Sequence, residues 1–386
     1  MTIAIFASAY YPHVGGVEEL VRQLVREYRA RGVAAIVLTN RWPRDLPRYE
    51  LVNDAPVYRV PFRAPEGSNT ARITYAATRG AIRRETSAVL RRHAVRLVHV
   101  QCVSANGLYA HLAARELDLP LIVTAQGERL MDASRVYERS AFQNDVLRNL
   151  LHEADAITAC SREVLRDLGE YAGHALGNRA QVIYNGVSLD DFLDVTIAAY
   201  PHPRPYVLAV GRLVHQKGFD LLIRAFAAAV DRDPFGHDLL LAGDGPERRL
   251  LAGLIADLNL ADRVHLLGMA DRRTVVSLYK GCSFFALPSR YEPLGIVNLE
   301  SMAAGKAIVA TRVGGVSEIV RDNENGLLVD PQDGHGLTEA LLLLAQDESL
   351  RRDLGARGQT DVEAFTWSHI AGQYLACYRA HGWLPG

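Results

Sequence analysis

Glu292 and Glu300 stand eight positions apart in the run Ser289-Arg-Tyr-Glu292-Pro-Leu-Gly295-Ile-Val-Asn-Leu-Glu300, and that spacing limits the chemistry they can share. The apolar positions Leu294, Val297, Leu299, Met302 and Ala303, with Gly305 as a C-terminal stop, predict a helix over 294–304 that starts just after Glu292. At a rise of ~1.5 Å per residue the two carboxylates lie about 12 Å apart. Glycosidase acid/base pairs stand about 5 to 9.5 Å apart, so this pair is too wide for joint attack on one bond. It suits gripping the two ends of one long ligand. The unpaired amides of Leu294, Gly295, Ile296 and Val297 at the helix start attract phosphate. A sugar at Glu292, a diphosphate at the amides and a ribose at Glu300 fit that order. An isolated pair of this spacing would more often be a helix-start charge and a solvated helix residue.

The neighbouring segments carry further motifs: Val210-Gly-Arg212-Leu with Gln216-Lys217-Gly218-Phe-Asp, Leu241-Ala-Gly243-Asp-Gly245-Pro-Glu247, Val264-His-Leu-Leu-Gly268, Leu287-Pro-Ser289, Met302-Ala-Ala-Gly305 and Gly314-Gly-Val-Ser-Glu318-Ile-Val. With these, residues 206 to 332 resemble the donor half of the retaining glycosyltransferases of family 4. Tyr11-Pro-His-Val-Gly15-Gly16-Val-Glu18 and Tyr184-Asn185-Gly186-Val187 extend the resemblance over nearly the whole chain. It implies the GT-B fold, an α/β architecture of two doubly wound Rossmann-like domains facing across a cleft. Residues 1–190 would form the acceptor-side domain and 205–364 the donor-binding domain, with a C-terminal helix within 365–386 packing back on the first. It implies a retaining hexosyltransferase with no cofactor and no obligatory metal, and donor contacts at Gly15, Gly16, Gly243, Gly268, Leu294, Gly295, Ile296, Val297 and Glu300.

Arg212 and Lys217 follow a predicted strand and lie five apart, so both can reach a diphosphate whose charge grows as the glycosidic bond breaks. With Glu292 they form the candidate catalytic set. Two fixed cations can replace a metal, and no Asp-x-Asp stands in a plausible metal-holding loop. Gly15-Gly16, between the first strand and a helix starting near Val17, would let backbone approach the same phosphates. One departure from the family matters. Many relatives carry His-Gly after the strand that ends here at Thr124, whereas this chain reads Ala125-Gln126-Gly127-Glu128. Gln126 can hydrogen-bond a sugar hydroxyl but cannot take up a proton, so an essential histidine at this position is excluded. The departing phosphate oxygen would accept the acceptor's proton instead. Glu128 and Asp132 are candidate acceptor-side carboxylates and His13 a candidate sugar contact. His99, within Val98-His-Val, reads as packed.

A chain of 386 residues, 49% hydrophobic and 23% charged, exceeds what one core usually serves and has ordinary globular composition. Its net charge of -1 hides an asymmetry: residues 1–190 carry four excess positive charges and the remainder five excess negative ones. Arg72, Arg79, Arg83, Arg84, Arg91, Arg92 and Arg96 supply much of the positive excess. Ile73, Ala76, Ala77, Ala81, Ile82, Val89 and Leu90 among them allow an amphipathic helix or pair of helices, which predicts peripheral contact with anionic lipid at the inner face of the cell membrane. A solvated face of an Arg-rich protein would have the same composition. The pI of 6.9 and the lack of any binding motif argue against nucleic acid. No apolar stretch approaches ~18 residues and the chain opens directly as a strand, so a cytoplasmic location is expected. Cys102, Cys160, Cys282 and Cys377 are scattered and expected reduced.

Strands are predicted at 2–8, 34–39, 57–60, 96–101, 120–125, 155–159 and 180–183, then near 205–210, 237–242, 263–267, 282–287, 306–310 and 327–329, alternating with helices. Asn185-Gly186 and the Pro-rich 201–205 bracket a linker. The expectation is transfer of a hexose from a nucleotide diphosphate sugar, UDP-linked by preference, to a hydroxyl, with a lipid-linked glycan as acceptor. The alternatives are a nucleotide-sugar-binding protein with little turnover and transfer to a small soluble acceptor. A nicotinamide-dependent dehydrogenase fits the alternation but lacks G-x-G-x-x-G after either first strand. A sugar-nucleotide epimerase would share the fold yet need no acceptor.

Overall fold

The computed structural model describes all residues except 14, 67, 132–135, 174, 233–234 and 385–386, so Asp132 lies outside the described residues. Two compact units divide the chain: Met1–Asn185 with Trp367–Gly386, and Gly186–Thr366.

The first unit is built on β1 (Thr2–Ala7), β2 (Ala34–Asn40), β3 (Tyr49–Val52), β4 (Ala55–Val60), β5 (Val95–Gln101), β6 (Leu121–Ala125), β7 (Ala156–Ala159) and β8 (Ala180–Val182). They form one sheet in the order β3-β4-β2-β1-β5-β6-β7-β8. Every neighbouring pair is parallel except β3 with β4. β6 and β7 are buried at every position, as strands covered on both faces must be, which is why they read as unbroken apolar runs. The short edge strand β3 was not expected. It is half exposed, and it returns through Asn53 and Asp54 at φ 49° and 61°, the left-handed pair a two-residue hairpin needs. β1 lies between β2 and β5, so the crevice where an α/β sheet takes its ligand opens at the C-terminal ends of β1, β5 and β6. The helix Trp367–Ala380 closes this unit against the helix Gly16–Ala30. Ile370, Ala371, Tyr374 and Leu375 share its core with Leu20 and Leu24, and the Tyr28 and Tyr378 hydroxyls bond at 2.9 Å.

Residues 69–92 form one helix, Asn69–Arg92, whose N-terminus is capped by the Ser68 hydroxyl accepting from Ala71 N at 3.1 Å. Ile82, Thr86, Ser87, Val89 and Leu90 are buried, whereas Ile73 is 70% exposed and Arg72, Arg79, Arg83 and Arg84 of the same helix are exposed as well. Arg91 pairs with Glu116 at 2.7 Å and Arg83 approaches the same carboxylate at 3.6 Å, so the basic face is partly neutralised. Among the described residues no helix is long and apolar enough to cross a membrane.

The second unit has β9 (Tyr206–Val210), β10 (Asp238–Ala242), β11 (Val264–Gly268), β12 (Phe284–Leu287), β13 (Ile308–Thr311) and β14 (Leu327–Val329), ordered β11-β10-β9-β12-β13-β14 and parallel throughout. The loops after β9 to β13 therefore share one edge. The helix expected over 294–304 runs Ile296–Ala303.

The linker expected between Asn185-Gly186 and 201–205 is part of this unit. Val187 N donates to Phe365 O (2.8 Å), Tyr200 N to Ser277 O (2.9 Å), and Lys280 Nζ to the carbonyls of Asp194 (2.6 Å) and Ile197 (3.1 Å). The segment is thus a strap across the helix Arg272–Gly281, and the division falls after Asn185. Its end is clamped where Asp238 accepts from His202 (2.8 Å), Arg204 (3.0 Å) and Arg263 (2.9 Å).

Candidate active site

In the second unit the loops at the C-terminal strand edge are knitted together by backbone. Gly211 N donates to Ala242 O (3.0 Å), Leu213 N to Asp244 O (2.9 Å), and Gly243 N to Gly268 O (2.8 Å). Gly243 sits at φ 138°, and a Cβ there would overlap the Gly211 carbonyl, so this glycine is required by the approach of two loops. Gly243 and Gly268, expected as donor contacts, thus hold the loops that carry Arg212 and Lys217 in register. Arg212 is exposed and its guanidinium has no partner among the described residues. Lys217 ends a single 3-10 turn, His215–Lys217, and its ammonium donates to Glu292 Oε2, which also accepts from Ser289 Oγ at 3.2 Å. The sequence places this lysine and acid 75 positions apart, and the fold brings them into one ion pair with side-chain exposures of 13% and 7%. Glu292 is therefore no ordinary solvated helix-start acid.

Glu292 is fixed at its backbone too, since Gly315 N donates to its carbonyl at 3.0 Å. Gly295 follows at φ 87°, where a Cβ would run into the Asn298 amide. Asn298 N to Gly295 O (2.9 Å) closes the first helical turn, which leaves the N–H groups of Gly295, Ile296 and Val297 without intrahelical partners. Leu294 is buried and anchors the turn. The fully buried Asn298 side-chain amide has no hydrogen-bond partner among the described residues. Glu300, one helix face on, is mostly buried against Arg272, whose Nη1 reaches Oε1 of the acid. Arg272 Nε also donates to Asp191 Oδ2 at 2.8 Å, and its guanidinium lies 5.4 Å from the Phe192 ring centre. Nothing in the spacing of the sequence linked Arg272 to Glu300; the only local signal was Asp271, which caps the helix by accepting from Thr274 N (2.8 Å).

At the opposite sheet edge, ligand atoms of His202, Asp238 and His265 lie within 4.8 Å of one another, the metal-like cluster found among the described residues. Two guanidiniums already bind the other oxygen of Asp238 and oppose a further dication. The cluster's work is the clamp on the strap.

In the first unit Gly15 and Gly16 lie exposed after β1, Gly15 being the extended N-cap of the helix Gly16–Ala30. The first turn also carries Glu18 and Glu19, and Glu19 is held by Arg22 Nε (2.8 Å), Gln23 (2.7 Å) and the Tyr11 hydroxyl (3.1 Å). His13, expected as a sugar contact, shares a 3.0 Å bond with the Trp42 carbonyl through Nε2 and so ties two loops. Glu128 needs a larger correction. Its two oxygens accept Val103 N and Gln126 N, each at 2.7 Å, so the carboxylate straps the β5 and β6 loops together and is no free acceptor-side acid. Burial pushes its pKa up, opposed by those two N–H groups.

Gln126 belongs to a buried polar chain that the sequence did not disclose. Asn185 Nδ2 donates to Gln126 Oε1 (2.9 Å), Gln126 Nε2 to Gln101 Oε1 (3.2 Å), and Gln101 Nε2 meets His99 Nε2 at 3.1 Å. His99 Nε2 also lies 2.6 Å from Thr124 Oγ1, and its Nδ1 lies 2.7 Å from the Tyr378 hydroxyl. An Nδ1–H tautomer satisfies every link, Nε2 accepting and Nδ1 donating. Burial pushes the His99 pKa down to about 3, so the packed reading of this residue holds and the imidazole is neutral.

Residues 14–191 match the family described as Glycosyltransferase Family 4 and residues 196–361 the family described as Glycosyl transferases group 1. An uncharacterized glycosyltransferase of Methanocaldococcus jannaschii is 30% identical over 364 residues, 94% of this chain and 94% of that protein. The chain belongs to the group 1 glycosyltransferases. The solved structure of sucrose-phosphate synthase from Thermosynechococcus elongatus superposes with a TM-score of 0.80 at 25% identity, covering 99% of each chain. The Anabaena HepE protein, solved in complex with UDP-glucose, gives 0.76 at 21% identity, over 98% of this chain and all of that one. This glycosyltransferase therefore has the GT-B fold, and its two family matches fall one on each compact unit.

Proposed function

We propose that this glycosyltransferase moves a hexose from a nucleoside-diphosphate sugar to a hydroxyl acceptor with retention of the anomeric configuration and without an obligatory metal. UDP-sugars are the donors to try first, because the Anabaena protein of the same fold holds UDP-glucose. The observation that carries the reading is the pairing, in one loop, of an unpartnered Arg212 with Lys217, beside a helix start whose N–H groups lack intrahelical partners. As the glycosidic bond breaks, negative charge accumulates on the diphosphate. Arg212 and the two unused N–H groups of Lys217, the latter already held by Glu292, would stabilise it. Glu292, oriented by Lys217 and Ser289, would hold sugar hydroxyls, and Glu300 the ribose. Gln126, fixed at both ends by Gln101 and Asn185, retains one N–H and one acceptor lone pair for the sugar. Since the amide cannot take up a proton, the departing phosphate oxygen would accept the acceptor's proton on the face it leaves.

The reading of the acceptor is supported by the helix Asn69–Arg92. Exposed Ile73 with Arg72, Arg79, Arg84 and Arg92 favours an anionic lipid surface and hence a lipid-linked acceptor, each cation near such a surface contributing about 1 kcal/mol. A panel of nucleotide sugars tests the donor: one bound at 100 times its Kd should stabilise the second unit by about 2.7 kcal/mol. Product anomers read by NMR test retention, and transfer in chelator tests metal independence. Binding without donor hydrolysis at excess enzyme would mean a sugar-nucleotide-binding protein. Flotation with anionic vesicles tests the acceptor, and no salt-sensitive binding would redirect it to a small soluble molecule.

A further inference from the structure

Arg272 opens the helix Arg272–Gly281 and is gripped from three sides. Its Nη1 meets Glu300 Oε1, its Nε donates to Asp191 Oδ2 at 2.8 Å, and Phe192 lies against its guanidinium plane at 5.4 Å. Asp191 and Phe192 belong to the short helix Leu189–Leu193 at the start of the strap, so the guanidinium spans from the strap to the helix that carries Glu300. A guanidinium held this way has few directions left to turn, and a carboxylate with one oxygen pinned to it is equally restricted. The arrangement also answers an electrostatic difficulty. A bare carboxylate beside the nucleotide would repel the diphosphate expected at the start of Glu300's own helix, whereas Arg272 cancels that charge and leaves acceptor lone pairs on the acid. Asp191 in turn keeps Arg272 from swinging to the phosphates itself.

We propose that Arg272, seated by Asp191 and Phe192, is the positioning residue that aims and neutralises Glu300 for the ribose hydroxyls of the donor nucleotide, and so sets the enzyme's preference for a ribose diol. This rests on the ribose role given to Glu300 above. The two are separable by calorimetry on the full chain, using whichever of UDP, ADP and GDP binds tightest, its 2′,3′-dideoxy analogue, and inorganic pyrophosphate by competition. The unmodified chain should prefer the diol about 10- to 100-fold, the range of a hydrogen bond to a charged group. Arg272→Met should reduce that preference to less than about threefold and weaken pyrophosphate only severalfold, through the uncovered Glu300 charge, and adding Glu300→Gln should restore pyrophosphate binding. Arg272→Lys should restore part of it, and Asp191→Asn should lower it severalfold in a chain with Arg272 intact. If Arg272→Met keeps the full preference while Glu300→Gln loses it, the positioning role is wrong and the ribose role stands. Loss of pyrophosphate binding in Arg272→Met that Glu300→Gln in the same chain does not restore would make Arg272 a direct phosphate ligand, and tighter nucleotide binding would make the ion pair a competitor of ribose; either overturns the proposal. No diol preference in the unmodified chain would overturn both readings.

Discussion

Removing Arg212 and removing Lys217 should have different consequences, although both cations occupy one loop and both are assigned to the leaving diphosphate. Arg212 is exposed and unpartnered, so Arg212→Ala should change stability by no more than about 0.5 kcal/mol, the range of surface substitutions. Lys217→Ala strands Glu292, a side chain only 7% exposed, with the Ser289 hydroxyl as its remaining side-chain donor at 3.2 Å. A lost charge-assisted bond costs about 1.5 to 3 kcal/mol, and a fully buried pair would cost about 3 to 5 when broken from one side. Lys217 keeps some contact with water, so about 2 kcal/mol is expected. For a unit of this size that lowers Tm by roughly 4 to 8 °C. Both variants should lose about 10² to 10³ in the chemical step. Adding Glu292→Gln to Lys217→Ala removes the stranded charge, and should recover most of the Tm and none of the rate. Thermal melts without nucleotide and single-turnover transfer with saturating donor give the two numbers independently. Turnover of Arg212→Ala within threefold of the unmodified enzyme, or an unchanged Tm in Lys217→Ala, would refute the assignment of that residue.

The buried His99 predicts a pH dependence. Its pKa of about 3 lies below the ~6.5 of an unfolded imidazole, so the unfolded chain binds a proton first as pH falls. The stability it supports is complete above about pH 6.5 and is lost progressively down to about pH 3, amounting to about 2 kcal/mol by pH 5. Urea melts at pH 7.5 and 5 should show a smaller loss in His99→Gln, and equal losses would refute the buried neutral state. Gly243→Ala should destabilise the second unit by more than about 2 kcal/mol through its collision with the Gly211 carbonyl, whereas Gly253→Ala, in a helix with open space around it, should be neutral or stabilising by up to about 1 kcal/mol. Equal melting temperatures for the two variants would sink the loop-packing account. Gln126→Ala should slow transfer modestly and leave a pH profile without a histidine-like limb; a several-hundredfold gain in Gln126→His would show the native site to be catalytically impaired.

Where residues lie side by side in sequence, their arrangement was legible. Apolar runs such as Leu121–Ala125 located the parallel strands because strands buried on both faces have no polar alternation to disguise them. β3 escaped because its half-exposed Tyr-Glu-Leu-Val carries no such run, and the Asn53-Asp54 turn was its only trace. The eight-residue spacing exposed Glu292 and Glu300 as a pair, but not what each one touches. Lys217 and Arg272 reach them from 75 and 28 positions away, a separation that no periodicity records. Glu128 was misread for a similar reason. A loop acid looks solvated in sequence, and only the fold reveals the amides of Val103 and Gln126 waiting for it. The strap looked like a linker because Pro and Gly mark irregular backbone, which packs as readily as it connects.

The helix Trp367–Ala380 has a consequence for biosynthesis. It is made after the whole second unit and yet belongs to the first, where Tyr374, Tyr378 and Ile370 fill the core beside Tyr28 and the far end of the polar chain through His99. A ribosome that has finished Asn185 must still deliver the whole second unit before these side chains emerge. At about 5 to 20 residues per second that interval is roughly 10 to 40 s. Throughout it the helix Gly16–Ala30 presents an uncovered apolar face, and His99 lacks its Tyr378 partner. The second unit, contiguous in sequence, can complete its own sheet in that time. The order of synthesis and the order of completion are therefore inverted: the unit begun first is finished last, and it is the nascent first unit that relies on chaperones or on its own solubility while it waits.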